Sequence, residues 1–358
     1  MMLLGPAQQA VLRATLEAAE ELQLKVWVVG GVLRDLLLGR EDPLRDIDLL
    51  VERESASLAR LVSSRLGGEV REFPQFLTAK IVAPAGGAAI AEIDVAAART
   101  EVYPRPGQLP VVQAASFEAD LRRRDFTINA LALPLGELLA WGTSTAGSSE
   151  LRRSITDLFG GLTDLDQRCI RILHDQSFID DPTRIFRAAR YAVRIRGGVE
   201  AHTAECLRTA ITGGVFATIS VQRIFGEIRR TFADPGGARV VELLVDFGVL
   251  GAIPLFEEAG TREVLQRLAV LDGLDLNAGQ RFELVLRIFY RAAGATRLAR
   301  YEQFGFGRKQ LRRFEVDTEP GSALQRSDQS LLYALTGPDP EAEVRTLARE
   351  RGLLKAAE

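Results

Sequence analysis

Two aspartates two residues apart, Asp46 and Asp48, sit in an otherwise apolar run, RDIDLLV, at residues 45–51. Alternate residues of a strand share a face, so this run predicts two carboxylates converging on one point among Ile47, Leu49 and Leu50. Such a pair burdens a packed strand unless a cation offsets its charge. Upstream, the strand-like run Val26–Val29 ends in Gly30-Gly31, and a short helical segment follows with Arg34 and Asp35 on it. Glycines let backbone approach a phosphate chain without Cβ interference, and a helix N-terminus offers N–H groups to anionic oxygens. Mg²⁺ favours oxygen ligands and keeps waters, so two carboxylates plus substrate phosphates suffice to bind it. The combination points to metal-dependent phosphoryl or nucleotidyl transfer, with Asp46 and Asp48 as catalytic metal ligands. Asp94, in AEIDV on another expected strand, is either a third acid of this site or a structural one.

Composition excludes several other chemistries. Two histidines, His174 and His202, rule out a His-rich metal phosphohydrolase centre, and each reads as an ordinary helix-surface residue. Two cysteines, Cys169 and Cys206, make neither a disulfide framework nor a zinc site and suit a reducing compartment. The N-terminal residues lack a basic region and cleavage pattern, and no run of 18 apolar residues occurs, so the expected location is cytoplasmic, away from membranes. A net charge of −3 gives no global sign of a nucleic-acid binder, so any basic surface must be local. No obligate protein partner is evident.

At 358 residues the chain predicts two or more packed units. Residues 7–24 are spaced for an amphipathic helix. Strand patterns fall at 25–29, 46–52, 69–73, 77–83, 90–96 and 127–133, with helical stretches at 32–38 and 55–66. Residues 99–118 hold three prolines and no clear period, which predicts a long functional loop. Residues 142–150 read as a flexible insertion. Beyond about residue 155 the strand patterns stop. Helical patterns follow at 163–173, 181–195, 202–212, 220–232, 237–247, 262–272, 278–293, 296–303, 307–314, 322–335 and 340–355. The expected fold class is α+β: a head with a small mixed sheet and helices, then an all-helical remainder.

GGVLRD followed by RDIDLLV resembles the first signature of the class II tRNA nucleotidyltransferase and bacterial poly(A) polymerase family. The likeness continues in order through RRDFTINALAL (123–133), DLFGGLTDLDQRCIRIL (157–173), DDPTRIFRAARYA (180–192) and SVQRIFGEI (220–228). It covers roughly residues 24–230. The resemblance implies a nucleotidyltransferase head over 1–155, a helical neck with the nucleotide-selecting motif over 156–232, and a tRNA-binding helical body and tail over 233–358. It implies template-free addition of CMP and AMP, from CTP and ATP with Mg²⁺, to the 3′ acceptor end of tRNA. Carried over, Asp46 and Asp48 bind metal while Gly31 and Arg34 contact the triphosphate. Arg124 reaches the nucleotide from the sheet. Asp181 and Arg184 pair with the edge of the incoming base, and Arg187 and Arg190 lie beside the nucleotide.

The base-reading chemistry is sound in itself. Asp only accepts and Arg only donates, so the pair matches the amine and ring acceptors of cytosine, or N6 and N1 of adenine. Residues 184–230 carry nine Arg against three Glu, a local net of +6 suited to RNA phosphates. Ser220, Arg223 and Glu227 fit a helix start followed by an i, i+4 ion pair that braces the neck. Trp27 and Trp141 read as core residues. The selecting motif begins Asp180-Asp181 where the family has Glu-Asp, so the base-reading acid is kept. The family's loop, here 99–118, helps the change from C to A addition, and its presence favours A addition. Whether the chain adds CCA, CC or only A stays open. The rival readings are a poly(A) polymerase on the same head and a catalytically silent RNA-binding protein on the same scaffold.

Overall fold

A computed structural model describes residues 6–40, 47–84, 90–142, 148–232, 236–253, 261–272, 274, 277–292 and 301–302. The candidate metal ligand Asp46 and the helices expected over 307–355 lie outside the described residues. The chain divides into two compact units, 1–177 with 197–203, and 178–196 with 204–358.

The first unit opens with α1 (Pro6–Glu21), β1 (Val26–Val29), α2 (Gly31–Leu37), β2 (Ile47–Val51), α3 (Ser55–Leu66), β3 (Glu69–Phe73), β4 (Thr78–Pro84) and β5 (Ile90–Ala97). It continues through β6 (Arg99–Val102), β7 (Val111–Ala114), α4 (Phe117–Arg122), β8 (Leu131–Pro134), α5 (Leu135–Gly142), α6 (Ser148–Ser154), β9 (Thr156–Asp157), α7 (Gly161–Asp166) and β10 (Cys169–Ile170). One mixed sheet runs in the order β3-β4-β5-β2-β1-β8-β9. Only its β2–β5 pair is parallel; the other neighbours are antiparallel.

Strand alternation sorts the sheet into two faces. Val26, Val28, Ile47, Leu49, Val51, Ile93 and Val95 join the main core with α1, α3 and α5. The opposite face carries a smaller apolar cluster of Val29, Leu50, Ala98, Leu121 and Ala132, with Trp27 and Phe117 against it. Each fully buried Leu or Val of the main core contributes about 1.5–3 kcal/mol, which holds β2 flat against the helices while Asp48 stays on the open side.

Several local expectations are corrected. Residues 99–118 are not an irregular loop: β6 and β7 pair as a hairpin, Arg99 opposite Ala114 and Val102 opposite Val111, and α4 starts at Phe117 with Ser116 as its N-cap. Residues 127–129 form a 3₁₀ turn ahead of β8, not the start of a strand. The helix expected over 163–173 ends at Asp166, and β10 follows, paired in parallel with β11 (Gly198–Val199). Strands therefore continue past residue 155. The expected insertion at 142–150 overlaps α6 from Ser148, and residues 143–147 lie outside the described residues.

The rest of the chain carries α8 (Ser177–Asp180), α9 (Thr183–Arg194), α10 (Ala201–Thr212), α11 (Val221–Thr231), α12 (Gly237–Asp246), α13 (Val249–Ala252), α14 (Thr261–Asp272) and α15 (Ala278–Ala292). Phe186 meets Phe216 edge-on at 5.8 Å, and Arg229 stacks over Phe282 at 4.8 Å, tying α11 to α15. Among the described residues no helix is long and apolar enough to cross a membrane.

Candidate active site

The sheet aligns one row of residues across all seven strands. Arg71, Lys80, Asp94, Asp48, Val29, Ala132 and Thr156 are successive register partners. Directly opposed residues share a face, so Asp48 and Asp94 stand side by side, on strands about 4.8 Å apart. Lys80 Nζ pairs with Asp94 Oδ2 at 3.1 Å and with Glu92 Oε2 at 3.3 Å. Burial works against the Lys80 ammonium, but the hydrogen bonds and charge of Asp94 and Glu92 outweigh it and hold its pKa above the ordinary lysine value. Asp48 is exposed while Ile47, Leu49 and Leu50 on either side are buried. A carboxylate set out on the open face of a rigid strand, with a second one next to it, is a donor set that fits a hard divalent cation.

Asp48 lies opposite Val29, the last residue before the diglycine. Gly30 has φ +79°, a left-handed conformation that strains any residue with a Cβ. Both glycines also make room for guanidinium groups. A Cβ on Gly30 would lie 3.2 Å from Arg124 Nη1, and one on Gly31 would lie 3.2 Å from Arg34 Nη2. Two of the expected nucleotide contacts, distant in sequence, thus pack on adjacent residues of one turn.

Both arginines are held by buried polar groups. Arg34, 3% exposed, donates Nε and Nη2 to the two oxygens of Asp35, each at 3.0 Å, and Nη1 to Asn129 Oδ1 at 2.6 Å. Asn129 Nδ2 in turn donates to Asp125 Oδ1 at 3.0 Å. Arg124 donates Nη2 to Asp120 Oδ2 at 3.0 Å, and its Nε is buried without a partner among the described residues. Such an unmet donor costs about 1–3 kcal/mol. The sequence reading missed Asp35, Asp120, Asp125 and Asn129 as supports. Asp35, Asp125 and Asn129 lie within GGVLRD and RRDFTINALAL, whose full wording was the available signal.

The segment DLFGGLTDL braces this site. Asp157 accepts backbone N–H groups of Phe159, Gly161 and Leu162 at 3.2, 2.9 and 2.9 Å. Gly161 packs so tightly that a Cβ would lie 2.2 Å from the Thr127 carbonyl oxygen. Thr127 Oγ1 donates to Asp164 at 2.6 Å, which locks the 3₁₀ turn carrying Asn129.

The remaining expected residues belong to the second unit. Asp181 precedes α9, and its Oδ1 accepts from Thr183 N at 3.1 Å, Thr183 Oγ1 at 2.7 Å and Arg223 Nη2 at 2.7 Å. All three fall on one oxygen; Oδ2 has no partner among the described residues. Arg184 is buried (5%) at the start of α9, its backbone N–H bonded to the Asp181 carbonyl at 3.0 Å. Arg187 lies over the Tyr191 ring at 5.2 Å. Arg190 donates to the buried carboxylate of Glu227, whose other oxygen accepts from Arg230 at 2.6 Å.

The expected Arg223–Glu227 pair therefore does not form. Helix α11 packs on α9, so its inward positions meet Asp181, just before α9, and Arg190 on it, and not each other. Ser220 does cap α11 by position, without a side-chain hydrogen bond. Trp27 packs on Phe117 at 4.4 Å, and Trp141 lies against the main core, both as expected.

Known proteins resemble this chain in sequence and fold. Residues 26–171 match the poly A polymerase head domain. The chain is 40% identical over 219 residues to an A-adding tRNA nucleotidyltransferase of Geobacter sulfurreducens, which covers 61% of this chain and 23% of that protein. It is 37% identical over 248 residues to one of Aquifex aeolicus, covering 69% and 28%. The chain thus spans less than a third of these two relatives. A CC-adding tRNA nucleotidyltransferase of Deinococcus radiodurans is 34% identical over 332 residues, covering 91% of this chain and 76% of that one. A solved CCA-adding enzyme in its apo form superposes with a TM-score of 0.71 at 25% identity, covering 99% and 86% of the two chains. A tRNA nucleotidyltransferase solved with a primer tRNA and an incoming ATP analog gives 0.64 at 28% identity, covering 94% and 98%. The chain belongs to the tRNA nucleotidyltransferase family, whose members use a divalent metal.

Proposed function

We propose that this chain adds CMP, AMP or both, from CTP and ATP, to the 3′ end of tRNA without a template, releasing pyrophosphate. The observation that carries the reading is the register row with Asp48 and Asp94 together, one residue from a diglycine turn on which Arg34 and Arg124 pack. Mg²⁺ is the proposed metal, held by Asp46 and Asp48; when bound it supplies Lewis-acid activation of the attacking hydroxyl and charge for the leaving pyrophosphate.

The protein's own groups do the rest. Gly31 makes room for the Arg34 guanidinium and brings its own backbone to the triphosphate, to which Arg34 and Arg124 supply fixed guanidinium donors. Asp181, with Oδ1 held by Arg223 and Thr183, presents Oδ2 to an exocyclic amine, and Arg184 donates to ring acceptors of the same base. Arg187 and Arg190 extend this cationic side of α9. Residues 1–155 act as the catalytic head, 156–232 as the neck and 233–358 as the tRNA-binding body and tail. The proposed location is the cytoplasm.

The test offers transcripts ending in the discriminator base, C or CC, each with labelled CTP or ATP. Incorporation limited to one, two or three residues supports the reading and separates CC, A and CCA addition. Long A tracts on any RNA would identify a poly(A) polymerase. Binding of tRNA with no incorporation would identify a silent scaffold.

A further inference from the structure

Asp120 is fully buried, yet it lies outside RRDFTINALAL. Its Oδ1 accepts Arg123 Nη2 at 2.7 Å, Arg123 Nε at 2.9 Å and the Arg99 backbone N–H at 3.3 Å. Its Oδ2 accepts Arg124 Nη2 at 3.0 Å. The two oxygens thus serve different neighbours: one the root of the β6–β7 hairpin, the other Arg124. A guanidinium is a rigid planar fork, so holding one donor sets the direction of the others. In Arg124, one of those is Nη1, which packs on Gly30. An acid that fixes Nη2 leaves Nη1 directed at the turn, which charge neutralisation alone does not require.

We infer that Asp120 is a positioning residue for nucleotide binding, holding the Arg124 guanidinium over the diglycine turn so that Nη1, beside Gly30, is directed at a phosphate oxygen of the incoming nucleotide. This rests on the reading of Arg124 as a triphosphate contact. Asp120 reaches the nucleotide only through Arg124, and it joins the hairpin root to the same arginine.

The experiment is a double-mutant cycle on the full chain, with D120N, R124A and the double variant, read by equilibrium dialysis of ATP and by thermal melting. D120N should weaken ATP binding about tenfold, the scale of one charge-assisted hydrogen bond. In the R124A background the same substitution should add less than about twofold, because the two residues act as one unit. Equal effects in both backgrounds, or a lowered melting temperature with unchanged ATP affinity, would overturn the assignment. D120E keeps the charge and displaces it by a methylene, so it serves if D120N does not fold; its loss of affinity should likewise vanish with R124A. Because ATP binding is read directly, absence of transfer to every tRNA end would count against the proposed reaction alone. Additive effects with transfer intact would count against Asp120 alone.

Discussion

Arg223 on α11 donates to Asp181 at 2.7 Å across 42 residues of sequence, holding the carboxylate proposed to read the base. An acid fixed on one oxygen presents the other in a set direction. Arg223→Ala should therefore relax discrimination among the four nucleotides by about tenfold, the worth of one charge-assisted hydrogen bond. Competition between ATP, CTP, GTP and UTP in single-turnover reactions measures it. A uniform loss with selectivity intact would show that Arg223 serves folding alone.

Asp48→Ala and Asp46→Ala should abolish nucleotide incorporation while tRNA affinity stays within about threefold, since affinity for RNA rests on phosphate contacts by Arg. Filter binding and incorporation on the same preparations decide it. Turnover above a small fraction of wild type in either variant would remove that residue from the metal site.

Gly161→Ala should destabilise the first unit by roughly 3 kcal/mol, because its Cβ meets backbone, which cannot swing aside. Gly160→Ala meets no atom within 4 Å and strains only φ +78°, so it should cost less, about 1 kcal/mol. Urea unfolding of the pair gives the comparison, and equal losses would mean that packing at Gly161 is not the cause.

Glu227→Gln leaves Arg190 beside a neutral amide in a buried position. Breaking one side of a buried pair costs about 3–5 kcal/mol, an upper bound here because Arg230 is solvent-exposed. Thermal melting should fall clearly, and adding Arg190→Met should recover part of the loss. No recovery would place the damage at Arg230.

Replacing residues 103–110 with a two-residue turn keeps both hairpin strands and removes only their connection. If the hairpin helps A addition, ATP incorporation on tRNA ending in CC should drop about tenfold, or 1.4 kcal/mol of barrier, with CTP incorporation on suitable tRNA unchanged. Equal changes for the two nucleotides would discard that role.

The sequence by itself determined the features that depend on neighbours within a few residues. Strand alternation placed Asp48 opposite in facing to Leu49, and GGVLRD specified a turn that needs glycine and brings Arg34 back over Gly31. The helical periods of α9, α11, α12, α14 and α15 were legible for the same reason. The hairpin was not, because β6 and β7 are four residues each, too short to show a period, and Pro104, Pro106 and Pro110 in their connection dominate the pattern. Only tertiary structure decided which distant groups meet: Asp94 beside Asp48, Arg124 over Gly30, and Arg223 with Asp181. Each meeting depends on sheet order or helix packing, set by the summed burial of apolar faces and not by the residues that meet. Arg223 and Glu227 show this most directly. Their spacing permits a pair along one helix, but packing against α9 gives each a partner elsewhere, and a carboxylate taken out of water is stabilised by the cations that surround it there.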